Sequence, residues 1–277
     1  MNDAALNMSA ELRDELQVPR DIDVSALPVR FSRLKLFALS AAHYRHSCSL
    51  GDDSGDSLAL RLGSGVHAIV LDKPVVRYSG RRAGAAWGEF VGEHADKVIL
   101  NDREWSEAQA MSSAIMRRRE AMQILFCDTI VEKRIDWTFL GRACRSTPDA
   151  RAPYHVAELK TGRTSHPALF VRDALRMHYH CQLAFYGDAI EHDTGVAPSK
   201  AYIVAVEKSP PYPVTILELT ERALEQGRKT ARLWFEQLLA CEASNEWPEY
   251  SESVVPFDVP EFDEPIELLV DGKSVEV

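Results

Sequence analysis

The sequence predicts an α/β domain built in layers, and three observations carry that reading. Segments with helical and strand periods follow one another as three helices, three strands, a helix, two strands and a helix. With 277 residues, 45% of them hydrophobic, the chain can bury one large core. Apolar runs such as 202–206 have the length of strands and fall far short of a bilayer span.

Residues 1–28 are polar, end in Pro28 and read as a short helix or mobile arm. With early acids and no apolar core, this stretch does not read as a secretory signal. Residues 31–44 place Phe31, Leu34, Leu36, Phe37 and Leu39 around one side of a helix, with Ser32 as N-cap. Residues 48–56 are a loop by composition, and 57–71 a second helix with His67 among apolar neighbours. Residues 74–92 are rich in Gly and Arg and read as irregular; 106–125 reads as one long helix. Strands are expected at 124–131, 134–140 and 154–159, with 141–153 as a turn-rich loop between the last two. A helix at 170–190, strands at 201–207 and 214–219, and a helix at 220–241 capped by Thr220 complete the domain. We divide the chain into an arm (1–28), a core (29–245) and an acidic tail (246–277), where Asp271-Gly272 between alternating apolar residues signals a hairpin.

The net charge of −10 is unfavourable for a nucleic-acid binder until its distribution is read. From position 242 onward acids outnumber bases eleven to one, so the first 241 residues are nearly neutral. That part carries basic clusters at Arg117, Arg118 and Arg119 and at Arg172 and Arg176. The five cysteines are scattered, without C-x-x-C pairs, which argues against a disulfide framework or zinc site and makes a reducing cytoplasm the default.

The chemistry concentrates in Asp136, Glu158-Leu-Lys160 and Gln182-x3-Tyr186. Glu158 and Lys160 are two apart, so on a strand both emerge on one face while Leu159 points to the other. Two carboxylates and an ammonium on neighbouring strands suit a hard divalent cation, Mg²⁺ or Mn²⁺, and the phosphate it attacks. Glu-x-Lys alone is weak, since roughly two such triplets arise by chance in a chain like this. Asp271-Gly-Lys273 is a second, without supporting context. Context raises the first: an apolar strand, an acid on the strand before it and a helix after it. His67 reads either as a hydrogen-bonded core histidine or as a metal ligand. Gln182 and Tyr186, at i and i+4, share one helix face and could bond the lysine, a nucleophilic water or a phosphate. Arg172 and Arg176, a turn apart, would extend a phosphate-binding face.

Taken in order, these blocks resemble the PD-(D/E)XK nuclease superfamily, and more narrowly its RecE-like and lambda-exonuclease-like branch from phage recombination systems. The blocks are FSRLKLFALSAAHYR from Phe31, Leu62-Gly-Ser-Gly-Val-His67, Arg134-Ile-Asp136-Trp, Glu158-Leu-Lys160-Thr161, Tyr179-His-Cys-Gln182-Leu-Ala-Phe-Tyr186 and Trp247-Pro-x-Tyr250. The resemblance implies a restriction-endonuclease-like core with a central mixed sheet. It implies a metal-dependent exonuclease that resects linear double-stranded DNA from the 5′ end. Asp136, Glu158, His67 and the carbonyl of Leu159 would hold Mg²⁺ or Mn²⁺, Lys160 would activate the water, and Gln182 and Tyr186 would complete the site. A single-strand-annealing recombinase as partner and a ring-shaped trimer or tetramer are further implications. Two features depart from the pattern: Ile135 stands where Pro precedes the acid, and 22 residues separate Asp136 from Glu158. The alternatives are an endonuclease of the same superfamily, a Cas4-like nuclease, which would need clustered cysteines for an iron–sulfur cluster, and a non-catalytic DNA-binding relative.

Overall fold

A computed structural model describes residues 22–50, 57–251 and 253–257, with the backbone of 267–270 and 273–276. The expected arm at 1–28 lies outside the described residues up to position 21, and so do 51–56 of the expected loop. A short strand β1 (Val29–Arg30) leads into α1 (Phe31–Leu34), a 3₁₀ turn (Lys35–Ala38) and α2 (Ala41–Ser49). The single helix expected over 31–44 is therefore broken. Ser40, not Ser32, is the N-cap, accepting from the His43 N–H. Helix α3 (Leu58–Val70) starts at Ser57, whose side chain accepts from the Leu60 N–H.

The stretch expected to be irregular, 74–92, contains β2 (Val75–Arg77) and nearly all of α4 (Ala85–Glu93), and β3 (Val98–Leu100) just beyond it pairs parallel with β2. The long helix expected over 106–125 is two, α5 (Asp102–Met116) and α6 (Arg119–Phe126), with the first begun by a reciprocal Asn101/Glu104 capping box. Arg117, Arg118 and Arg119 sit at the break and are exposed.

Strands β4 (Ile130–Val131), β5 (Ile135–Phe139), β6 (Arg142–Ser146), β7 (Ala150–Arg151) and β8 (His155–Gly162) follow. The segment expected to be a loop thus holds two strands. The helix expected at 170–190 is split at His178, which takes a left-handed conformation (φ 59°), into α7 (Pro167–Arg176) and α8 (Tyr179–Thr194). Strands β9 (Lys200–Glu207) and β10 (Val214–Glu218) and helix α9 (Glu221–Ser244), capped by Thr220, match expectation. The tail pairs β11 (Glu267–Val270) antiparallel with β12 (Lys273–Glu276); Asp271 and Gly272 themselves lie outside the described residues.

The central mixed sheet runs β10-β9-β8-β7-β4 and has one parallel pair, β8 with β9. A separate three-stranded sheet, β1-β6-β5, packs on the side of α8 and α9. The central strands are covered on both faces. Val156, Ala201, Ile203 and Ala205 join one core with Phe185, Trp234 and Phe235; Leu159, Val204 and Val206 join the other with Val66, Met111 and Ile115. Gly65 lets α3 come close to this second core: a Cβ there would stand 2.7 Å from Leu100. His67 is carried on that closely packed helix. Among the described residues no helix is long and apolar enough to cross a membrane.

Candidate active site

Glu158 and Lys160 emerge on one face of β8, and Leu159 is buried on the other, as the two-residue period requires. Lys160 Nζ donates to Glu158 Oε2 at 2.7 Å, and Gln182 Nε2 donates to the same oxygen at 3.1 Å. Gln182 also bonds the Tyr186 hydroxyl at 3.1 Å, so one face of α8 holds the carboxylate in place. Four of the expected residues are therefore brought together.

The acid beside them is Asp149. Its backbone N–H donates to Glu158 Oε1 at 3.1 Å, and its Oδ2 accepts from the Leu159 N–H at 2.7 Å. Its Oδ1 lies 3.4 Å from His67 Nδ1. Asp136 is elsewhere: it sits on β5 of the three-stranded sheet, half-exposed, held by Arg134 at 2.6 Å and Arg145 at 3.1 Å. The neighbour of β8 in the central sheet is β7, just after Asp149, so strand order decides which acid meets Glu158. The signal was available. Pro148-Asp149 is a literal Pro-Asp dipeptide nine residues before Glu158, hidden by assigning 141–153 to a loop.

A third acid joins from the turn after β4. Glu132, at φ 45°, donates its N–H to the Asp149 carbonyl at 3.0 Å and pairs with Lys73. One ligand atom each from His67, Glu132 and Asp149 lie within 4.8 Å of one another. Nothing in the local sequence around Glu132 marked it. An imidazole nitrogen and carboxylate oxygens converging at this spacing fit a hard divalent cation.

The electrostatics agree. Burial pushes the Glu158 carboxyl up, and the neighbouring Asp149 charge adds to it, against Lys160. Burial also opposes ionisation of Asp149, but His67, Lys160 and the Leu159 N–H outweigh it and hold that carboxyl below its usual value. For Lys160, burial is outweighed by Glu158 and then Asp149, so the ammonium stays charged. For His67, burial is outweighed by Asp149, and the imidazole is pushed up. Two buried acids that resist ionising together form a site that a cation stabilises.

His67 and Glu132, with the buried Asp149 behind them, border a cleft of about 570 Å³ that is also lined by Lys73, Lys160, Tyr179 and Lys208. The basic groups on the cleft are thus lysines, of which the sequence singled out Lys160 but neither Lys73 nor Lys208. Arg172 and Arg176 are exposed on α7; Met177, next in the chain, lines the cleft, whereas neither arginine does.

A mixed sheet that brings Asp149, at the entry to β7, beside Glu158 and Lys160 of β8, with helices on both faces, is the restriction-endonuclease-like core of a PD-(D/E)XK protein. Over residues 30–257 the chain matches the family model described as a PDDEXK-like domain of unknown function, DUF3799, and it belongs to that family. Among solved structures it superposes on a candidate exonuclease from Eubacterium rectale with a TM-score of 0.60 and 14% identity, covering 91% of this chain and 96% of that one. An alkaline exonuclease from Laribacter hongkongensis, 17% identical, covers 68% of this chain and 94% of its own with a TM-score of 0.28, too low to bear on the argument. No curated protein matches the chain.

Proposed function

We propose that this protein is a divalent-metal-dependent deoxyribonuclease that resects linear double-stranded DNA from its ends, 5′ to 3′, leaving 3′ single strands. The observation that carries it is the convergence of Asp149, Glu158 and Lys160 with His67 and Glu132 beside one open cleft. His67, Glu132, Asp149 and Glu158 are the residues that would hold Mg²⁺ or Mn²⁺. When bound, the cation would lower the pKa of a water and offset charge gathering on the scissile phosphate.

The protein's own groups do the remaining work. Lys160, charged and fixed by Glu158, faces the same cleft, where its ammonium stabilises developing negative charge and orients the attacking water. Gln182 keeps Glu158 from rotating and is in turn bonded to Tyr186. Lys73 and Lys208 flank the cleft as phosphate contacts, and Arg117, Arg118, Arg119, Arg172 and Arg176 are candidate outer contacts whose contribution falls with salt. The choice of DNA ends draws its support from the resemblance to lambda-exonuclease-like proteins and from the fold shared with the Eubacterium rectale protein. A ring-shaped oligomer and a single-strand-annealing partner are proposed on the same resemblance, and a cytoplasmic setting on the scattered, unpaired cysteines.

The test is digestion of linear and covalently closed circular duplex in Mg²⁺, with and without 5′ phosphates. Loss of linear DNA only, faster from 5′-phosphorylated ends and abolished by chelation, is expected. Cutting of the closed circle would make the protein an endonuclease instead, and no cutting of either would make it a non-catalytic binder.

A further inference from the structure

The ring of Tyr179, first residue of α8, lies against the Lys160 ammonium, whose Nζ stands 4.9 Å from the ring centroid. Among the described residues that ammonium has one hydrogen-bonded carboxylate oxygen, Glu158 Oε2. A lysine head on a flexible four-carbon stem, tied at one point, can still swing about that bond. A second contact on another side removes that freedom, and an aromatic face supplies it without neutralising the charge. Tyr179 is itself fixed. It follows the left-handed His178, whose ring meets Trp234 edge-on at 4.9 Å, and it packs against Phe170 at 6.4 Å. Both Lys160 and Tyr179 line the cleft.

We propose that Tyr179 is a positioning residue that aims the Lys160 ammonium into the cleft through the face of its ring. This rests on the reading of Lys160 as the group that meets the phosphate and water. It adds a member to the site outside the Gln182/Tyr186 pair, one turn earlier on the same helix. The ring face is the active feature and the hydroxyl is not, so other aromatic side chains should serve.

The test compares Tyr179→Leu, Tyr179→Phe and Tyr179→Trp with Lys160→Ala on linear duplex in Mg²⁺, and adds a series with progressively fluorinated phenylalanines at position 179. Tyr179→Leu should lower kcat by roughly fivefold to thirtyfold with KM unchanged, the range of a desolvated ammonium–ring contact. Phe and Trp should restore what Leu loses. Fluorination drains the ring face while keeping its shape, so log kcat should fall steadily with each fluorine. In the chelated protein, the Cε protons of Lys160 should resonate upfield because of the ring, and Tyr179→Leu should abolish that shift. A flat fluorine series, or Leu equal to Phe, overturns the proposal, and the fluorinated series decides it even if Tyr179→Leu does not fold. Full activity in Lys160→Ala would instead overturn the reading of the site on which it rests.

Discussion

Replacing Asp149 by Asn should uncouple this protein's stability from Mg²⁺, and the size of the effect can be worked out. The carboxylate supplies one of the three ligand atoms that lie within 4.8 Å of one another, and it is the only one of the three hydrogen-bonded to the strand that carries Glu158. Asn keeps an oxygen to accept from the Leu159 N–H, so the fold is preserved and the charge is removed. For unit charges about 4 Å apart at an effective dielectric near 20, the interaction is about 4 kcal/mol, and a divalent ion doubles it. Even after desolvation offsets most of that, a loss of about a hundredfold in affinity is a modest expectation. At a Mg²⁺ concentration 100 times the wild-type Kd, linkage stabilises the wild type by about 2.7 kcal/mol; a hundredfold weaker site retains about 0.4 kcal/mol. In a chain of this length those figures correspond to rises in Tm of about 5–10 °C and about 1 °C. Thermal unfolding followed by circular dichroism, with Mg²⁺ against chelator, reads the difference. An undiminished Mg²⁺ shift in Asp149→Asn would refute the reasoning, the more so if Asp136→Asn lost it.

Three further outcomes follow from the same geometry. In chelator, stability should fall as pH rises from the ordinary carboxylate range through and above neutrality. Glu158 and His67 both have raised pKa values in the fold, so the native state binds more protons than the unfolded chain there. Denaturant unfolding between pH 5 and 9 measures this, and a slope unchanged by Asp149→Asn would contradict the cause assigned. Gln182→Leu should cost about ten- to a hundredfold in kcat by freeing Glu158, with little change in Tm, and steady-state kinetics would show it. Gly227→Ala should destabilise by about 1–3 kcal/mol, because its Cβ would stand 2.5 Å from the His180 carbonyl oxygen where α9 crosses α8; denaturant midpoints would reveal an error if the variant matched wild type.

Much of this was legible in the sequence where side-chain period and environment agreed. The apolar run through β8 and the Glu158/Lys160 alternation placed both groups on one face, and the i, i+4 spacing of Gln182 and Tyr186 placed both beside them. The Asp149 position was lost because β6 carries two arginines and a serine and β7 is only two residues long, so neither looks like a strand. Partner choice then fell to the nearest obvious strand, β5, which in fact belongs to another sheet. Breaks at Leu39, Arg117 and His178 were hidden because apolar periodicity continues across them. Glu132 had no local signal, since a long-range turn brings it to the site.

The most direct test of the account is a paired measurement of cleavage rate on linear duplex DNA in saturating Mg²⁺ for Asp149→Asn and Asp136→Asn. The account predicts a loss of at least about a hundredfold for Asp149→Asn and a rate within a few-fold of wild type for Asp136→Asn, whose carboxylate is held, among the described residues, by Arg134 and Arg145. Near-normal cleavage by Asp149→Asn alongside an inactive Asp136→Asn would contradict it.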